Sequence, residues 1–215
     1  RFPGLMRRDV HTITRLDVQR AVSDEAKKVS AKTIKNAYGL LTAVLKDYGV
    51  DVSGVKLPQR VKRQKQYLTV EEVVKLIDCA VGDPCELPIV MAVWLGMRRS
   101  EICGLYWDCV DFDQGTITIK RQLRREQKKG GQYYITTPKN GKSRTITPAP
   151  WVMKLLRTQR ARQAEQRLKA GPLWENTGMV FTNETGGYLS YRTAYDCFKR
   201  IVAQIGAPAT RFHDL

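Results

Sequence analysis

The sequence contains no long apolar run. No segment of its 215 residues approaches the roughly 18 consecutive apolar residues that a membrane-spanning helix needs. Residues 1–8 also lack the apolar stretch of a signal peptide. We therefore expect a cytoplasmic protein with no membrane partner. The chain begins without a methionine, which predicts that it derives from a longer protein.

Residues that bind metals or form disulfides are scarce. The five cysteines are odd in number and include no Cys-x-x-Cys pair, which argues against a disulfide framework and against a zinc site. This pattern favours free thiols in a reducing cytosol. Only two histidines, His11 and His213, are present, which excludes a histidine-rich metal centre. We expect a function that needs neither a metal nor a cofactor.

Acidic side chains are outnumbered along the whole chain. The formal net charge is +16, from 37 basic and 21 acidic residues. Residues 1–66 carry 15 basic and 6 acidic side chains, and residues 67–215 carry 22 and 15, so the excess is not confined to one tail. A polyanionic partner follows, and nucleic acid is the commonest one. The sequence lacks the aromatic strand pattern of RNA-recognition domains, which disfavours RNA.

The N-terminal part reads as a small helical domain over residues 1–49. Thr14 and Asp17 form a capping box, Ser30 caps a longer amphipathic helix, and Gly49 ends that helix. The domain looks incomplete at its start. Residues 50–66 show no periodicity and are strongly basic, which predicts an extended linker.

Residues 67–215 read as a second, larger domain, incomplete at its end. A capping box at Thr69 begins one helix, and the next is predicted to begin with Pro84 at its first position and to end at Gly96. A basic helix over 151–168 and a last full helix over 191–205, capped by Ser190, follow.

Strand signals lie between these helices. The Asn-Gly pair at 140–141 predicts a hairpin between residues 132–136 and 143–147. Residues 110–112 and 116–120 form a second predicted pair, and 179–181 a short strand. The predicted fold class is mainly α with a small antiparallel β-sheet, that is, α+β.

Three segments contain residues that could carry phosphate chemistry. Arg98 follows a buried helix, so its stem would be held against a phosphate, and Glu101 lies one turn later on the same helix face. Lys139 occupies the Asn-Gly turn, and His213 can exchange a proton near neutral pH. Each has an ordinary alternative by itself: a surface salt bridge, a solvated turn residue and a structural histidine.

The order of these segments resembles the tyrosine recombinases, or phage integrases. Residues 95–111 (LGMRRSEICGLYWDCVD) resemble the first arginine box of that family, residues 137–148 (TPKNGKSRTITP) its lysine segment, and residues 212–215 (FHDL) the start of its histidine–arginine box. Residues 1–66 resemble its core-binding domain and linker. The resemblance covers nearly the whole chain, and the combination is far more specific than any one box.

The resemblance implies site-specific DNA recombination or integration, typical of phages and other mobile elements. In that family a tyrosine attacks the scissile phosphate, forms a 3′-phosphotyrosyl bond and releases a 5′-hydroxyl, without a metal. The matching positions make Arg98, Glu101, Lys139 and His213 the catalytic candidates; Arg99 competes with Arg98, and Lys142 with Lys139. The expected partner is a double-stranded recombination site, bound by a homotetramer. Residues expected to contact DNA are Lys62, Arg63, Lys65, Arg99, Lys142, Arg144, Arg192 and Arg211.

The sequence departs from the family pattern by omission. It ends at Leu215, before the positions of the second catalytic arginine and the tyrosine nucleophile, and Tyr188, Tyr191 and Tyr195 all precede His213. We expect that the 215 residues by themselves do not cleave DNA. The alternative is a non-catalytic DNA-binding module or regulator built on the same scaffold.

Overall fold

The computed structural model describes residues 2–59, 67–128, 130–138 and 141–215. It divides into two compact units, residues 1–65 and residues 66–215. The predicted α+β class is confirmed, since the described residues form seven α-helices and two small antiparallel sheets. Within the described ranges, every helix is too short or too polar to cross a bilayer.

The first unit is built on two helices, α1 (Arg15–Ala26) and α2 (Ala31–Asp47). Both predicted caps are confirmed: Thr14 and Asp17 form a reciprocal capping box before α1, and the Ser30 side chain accepts a hydrogen bond from the Thr33 backbone N–H. The two helices pack around a common apolar core, whose fully buried members are Val18, Val22, Ile34 and Leu45.

Part of the predicted linker packs against this unit. Val52 is buried in the core of the first unit, and Gln19 on α1 forms two hydrogen bonds with the Lys56 backbone, at 2.7 and 3.1 Å. Residues 50–57 are therefore part of the first unit, since apolar burial and these bonds hold them there. Residues 60–66 lie outside the described residues. The roles assigned to the two units stay predictions.

Five helices form the frame of the second unit within its described residues. The Thr69 capping box is confirmed, and Gly96 ends the predicted buried helix with a positive φ of 58°. The predicted start of that helix is wrong, because the Asp83 carboxylate and carbonyl hold residues 83–86 in a turn and the helix begins at Glu86. The helices are α3 (Val70–Ala80), α4 (Glu86–Leu95), α5 (Arg99–Cys103), α6 (Pro150–Ala170) and α7 (Tyr191–Gln204).

In the part of the second unit that the structure describes, five short strands form two antiparallel sheets. The first sheet has the order β1-β2-β5 and the second pairs β3 with β4. In the first sheet, Ile117 lies opposite Ile146. The strands are β1 (Val110–Asp111), β2 (Thr116–Ile119), β3 (Gln122–Arg125), β4 (Tyr133–Thr136) and β5 (Arg144–Ile146).

The predicted hairpin between β4 and β5 is wrong. Both strands exist, but β4 pairs with β3 and β5 pairs with β2, so the connection between them joins two sheets. Strand β5 pairs with β2, whose Ile117 and Ile119 are buried in the main core. This pairing between distant residues outweighs the local Asn-Gly turn signal. The strand predicted at 179–181 is also wrong, since only Met179 forms an isolated bridge, with Tyr106.

Helix α5 is held against β3 by a close backbone approach. A Cβ added at Gly104, directly after α5, would clash with the backbone of Gln122 and Leu123. Cys103 and Leu123 are buried together in a small apolar cluster at this junction. The start of α5, where Arg98 lies, is therefore fixed relative to the sheets.

Candidate active site

Arg98 is positioned by the junction between α4 and α5. Gly96 turns the chain through a left-handed conformation, and the buried Met97 anchors it before α5 begins. Arg98 is the N-terminal capping residue of α5, and its side chain is 57% exposed. A fixed backbone with an exposed guanidinium suits the binding of a phosphate.

Glu101 connects this junction to the first sheet. Its side chain is only 1% exposed. The carboxylate accepts hydrogen bonds from the Arg98 backbone N–H at 3.0 Å and from Arg98 Nη1 at 2.9 Å. It also accepts two hydrogen bonds from Arg144 on β5, Nη1 to Oε1 at 3.0 Å and Nη2 to Oε2 at 2.7 Å. The buried carboxylate is thus held between two guanidinium groups, whose positive charges and hydrogen bonds offset the cost of burying its negative charge.

Arg144 therefore has a structural partner that sequence spacing did not reveal. It was expected to contact DNA, but both of its terminal nitrogens face Glu101, 43 residues away in the sequence. Its side chain remains 37% exposed. The bidentate geometry favours a role in holding Glu101, and a direct phosphate contact by Arg144 stays a prediction.

The charges in this cluster favour one protonation state. Burial by itself would raise the pKa of the Glu101 carboxyl, but hydrogen bonds from Arg144 and Arg98 outweigh it and hold the pKa below the usual 4.5. The hydrogen bonds that Arg144 donates to Glu101 raise the pKa of the Arg144 guanidinium. The Glu101 carboxylate already binds two guanidinium groups, so this cluster is not suited to bind a metal ion.

The stability contributed by Glu101 is expected to depend on pH. Because the folded-state pKa lies below 4.5, the contribution is fully present above that value and is lost as the pH falls through the folded pKa. The difference in free energy of unfolding between the native chain and Glu101→Gln should therefore be largest near neutral pH and should shrink below about pH 4. Urea unfolding at several pH values measures it; a difference that grows in acid would contradict the assignment.

The neighbouring arginine points elsewhere. The Arg99 guanidinium carbon lies 5.1 Å from the centroid of the Tyr191 ring and 5.9 Å from that of Tyr195, both on α7. This stacking directs Arg99 towards α7, whereas Arg98 is paired with Glu101. The geometry therefore favours Arg98 over Arg99 for the role of the clamped arginine.

The lysine segment is described only in part. Lys139 lies outside the described residues, as do Lys62, Arg63 and Lys65. Pro138 and Gly141 lie on either side of Lys139 in the sequence, and the Gly141 backbone N–H donates a hydrogen bond to the Pro138 carbonyl at 2.8 Å. Lys142 is exposed. The choice between Lys139 and Lys142 stays a prediction.

The C-terminal segment is attached to α7 through an aromatic contact. Phe212 is buried, and its ring centroid lies 5.2 Å from that of Phe198. His213 is exposed on this short turn. Arg211 binds Asp214 through Nε and Nη2, each at 2.7 Å. The charge of Arg211 is thus partly neutralised before any ligand arrives.

Arg192 remains available on the surface of the second unit. Its side chain, in the first turn of α7, is 88% exposed. It forms an ion pair of 3.2 Å with Asp196, which is itself 59% exposed. Such an exposed pair is weak and easily exchanged for a phosphate contact.

The fold of the chain is similar to that of a solved integrase. It superposes on the Tn1549 transposon integrase, solved in complex with transposon right end DNA, with a TM-score of 0.75 at 22% sequence identity. The match covers 96% of this chain and 71% of that one. The chain belongs to the phage integrase family, whose family model matches residues 66–215. The resemblance drawn from the three sequence boxes is confirmed.

Relatives with curated names agree with this family. The chain is 27% identical over 208 residues to a "Tyrosine recombinase XerC-like" protein of Caldanaerobacter subterraneus subsp. tengcongensis, a match that covers 86% of this chain and 53% of the relative. It is 26% identical over 217 residues to an "Integrase" of Streptomyces ambofaciens, covering 93% and 54%. The chain thus spans about half the length of the curated relatives it matches.

Proposed function

We propose that this chain is part of a site-specific DNA recombinase that breaks and rejoins strands through a 3′-phosphotyrosyl intermediate. One observation carries the proposal: Arg98 has a fixed backbone and an exposed guanidinium, and the buried Glu101 holds it in place. A cation fixed where charge develops stabilises a five-coordinate phosphate without a metal. Family membership, from the match over residues 66–215, supports the same chemistry.

The other catalytic candidates keep the roles implied by the family. Lys139 would donate a proton to the departing oxygen, and His213 would assist proton transfer at the phosphate. Glu101 is a positioning residue here, since it reaches the reaction only through Arg98. The nucleophile would be a tyrosine in the full-length protein, and the recombining form would be a tetramer on double-stranded DNA in the cytoplasm.

The residues predicted to contact DNA differ in how strongly they are already bound to a carboxylate. Lys142 and Arg192 are exposed and favour direct contact with phosphates. Arg144 and Arg211 each hold a carboxylate, which reduces the positive charge they can offer to DNA. The overall charge of +16 supports a mainly electrostatic association.

We expect binding of a DNA duplex to weaken steeply with salt. Each phosphate contact releases counterions, so the logarithm of the binding constant should fall linearly with the logarithm of salt concentration. Lys142→Ala should reduce the steepness of that line by about one unit. Arg98→Ala should reduce it by less than one unit, because Arg98 already pairs with the Glu101 carboxylate. Arg211→Ala should change it less, because Asp214 already binds Arg211. Fluorescence anisotropy of the 215-residue chain measures these slopes.

A basic residue outside the site provides the control. Arg157 on α6 is exposed and lies 5.1 Å from the centroid of the Phe112 ring. Arg157→Ala removes the same charge and should leave the slope close to that of the native chain. Binding that does not respond to salt would count against the phosphate-clamp proposal.

A further inference from the structure

Folding brings two cysteines and an aspartate together at a point remote in sequence from the arginine box. One ligand atom each from Asp83, Cys85 and Cys197 lies within 4.8 Å of the other two. It is the one such group of three potential metal ligands among the residues that the structure describes. Cys85 precedes α4 and Cys197 lies in the middle of α7, so no short sequence motif predicted this grouping.

The local structure holds these ligands in place. The Cys85 backbone N–H donates to Asp83 Oδ1 at 2.8 Å, and the Cys197 thiol donates to the same oxygen at 3.3 Å. Cys85 is only 3% exposed and its Sγ lies 4.0 Å from the Ala194 carbonyl oxygen. The turn that carries Asp83 and Cys85 is closed by a 3.0 Å hydrogen bond from the Glu86 N–H to the Asp83 carbonyl.

The spacing fits a small tetrahedral cation. With metal–sulfur bonds of about 2.3 Å and metal–oxygen bonds of about 2.1 Å, the two sulfur atoms of such a site lie about 3.8 Å apart and each lies about 3.6 Å from the oxygen. Because the ligand atoms already lie within 4.8 Å of one another, no distance between them needs to change by more than about 1.2 Å. Two thiolates and one carboxylate are a donor set for soft divalent cations and a poor one for Mg²⁺ or Ca²⁺.

We propose that Asp83, Cys85 and Cys197 bind one thiophilic divalent cation of the zinc and cadmium class. The site would connect the turn before α4 to α7 and would stabilise the second unit. It takes no part in the phosphate chemistry and does not depend on the proposed recombinase function. Binding forms two metal–sulfur bonds and one metal–oxygen bond, which replace bonds from the cation to water, and the two thiol protons pass to solvent.

Arg200 competes with the cation for this site. Its Nη2 lies 2.6 Å from Asp83 Oδ2 and 3.6 Å from Cys197 Sγ. Its side chain is 54% exposed, so it can turn to solvent when a cation arrives. A guanidinium near the site repels the metal and occupies its carboxylate ligand. Removing Arg200 should therefore tighten binding, which a merely adventitious metal contact elsewhere on the surface would not show.

Titration of the reduced 215-residue chain with Cd²⁺ tests the proposal. We expect one equivalent to bind, with a thiolate-to-cadmium absorption band in the ultraviolet and a rise in Tm of about 5 °C at saturating metal. Cys197→Ser and Asp83→Asn should each weaken binding at least tenfold. Arg200→Gln should tighten it by about tenfold. Zn²⁺ should compete for the same site.

Cys79 is the matched control, because it is an exposed free cysteine in the same unit. Cys79→Ser should bind cadmium like the native chain. Cys85→Ala tests the buried ligand. If the Cys85→Ala protein does not fold, Cys197→Ser and Asp83→Asn, at less buried positions, still test the site. Binding that survives Cys197→Ser, that disappears in Cys79→Ser, or that is absent from the native chain would overturn the proposal.

Discussion

Replacing Glu101 with alanine is expected to lower the free energy of unfolding of the second unit by about 2–4 kcal/mol. The change removes a carboxylate with 1% exposure and leaves two guanidiniums without their shared partner. The loss should lie below the upper range for broken buried ion pairs, because Arg98 and Arg144 reach solvent. Glu101→Gln keeps the shape and should cost about half as much.

Tryptophan fluorescence during urea unfolding isolates this effect. All four tryptophans lie in the second unit, at Trp94, Trp107, Trp151 and Trp174. Asp196→Asn is the control, because it breaks an arginine–carboxylate pair that is exposed on α7. That pair should contribute less than about 1 kcal/mol. Equal losses for Glu101→Ala and Asp196→Asn would refute the view that Glu101 organises this part of the fold.

Replacing Arg98 with alanine in the full-length protein is expected to slow DNA cleavage by about 10²–10³-fold. In the proposed mechanism, the Arg98 guanidinium, held by Glu101, stabilises charge that develops on the phosphate, and the alanine variant lacks this stabilisation. The effect should appear in the rate of the covalent step more than in DNA affinity. Arg98→Lys should recover little, because an ammonium group cannot form two parallel hydrogen bonds with a phosphate.

Cleavage of a suicide DNA substrate under single-turnover conditions measures this rate. Arg157→Ala serves as the control, since that arginine lies over Phe112 and outside the site. Its rate should stay within a few-fold of the native one. A full-length protein that binds the duplex but forms no covalent adduct, with or without Arg98, would instead favour the non-catalytic DNA-binding module.

Helix boundaries were the part of the fold that the sequence predicted best. The caps at Thr14, Ser30, Thr69 and Ser190 form as expected. Each cap is a contact between residues two or three positions apart, so local chemistry is enough to set it. The predicted start of α4 was wrong, because the Asp83 turn satisfies the same backbone groups without a helix.

The sequence predicted strand pairing correctly for β1 and β2 but wrongly for β4 and β5. The Asn-Gly signal favoured a hairpin between β4 and β5, but β4 pairs with the preceding strand β3, and β5 pairs with the more distant β2. A turn signal describes a few residues, whereas pairing also depends on which strand faces the core. The burial of Ile117 and Ile119 on β2 determines the pairing partner of β5, and the residues near Gly141 carry no information about that burial.

In the candidate site, too, contacts between neighbouring residues could be predicted and contacts between distant residues could not. The pair of Arg98 and Glu101 could be predicted because the residues are three positions apart at the start of a helix. The choice between Arg98 and Arg99 needed the position of α7, whose tyrosines receive Arg99. The clamp of Arg144 on Glu101 could not be found by spacing, because strand β5 reaches α5 only in the folded unit.

By itself the sequence determined the helix caps, the α+β class, the basic character of the chain and the family to which it belongs. These features depend on composition and on residues close together along the chain. Only the tertiary structure decided the strand order, the partner of Arg144 and the meeting of Asp83 with Cys197 across 114 residues. Such contacts are selected by burial of a shared core, a property of the whole unit that no short stretch of residues encodes.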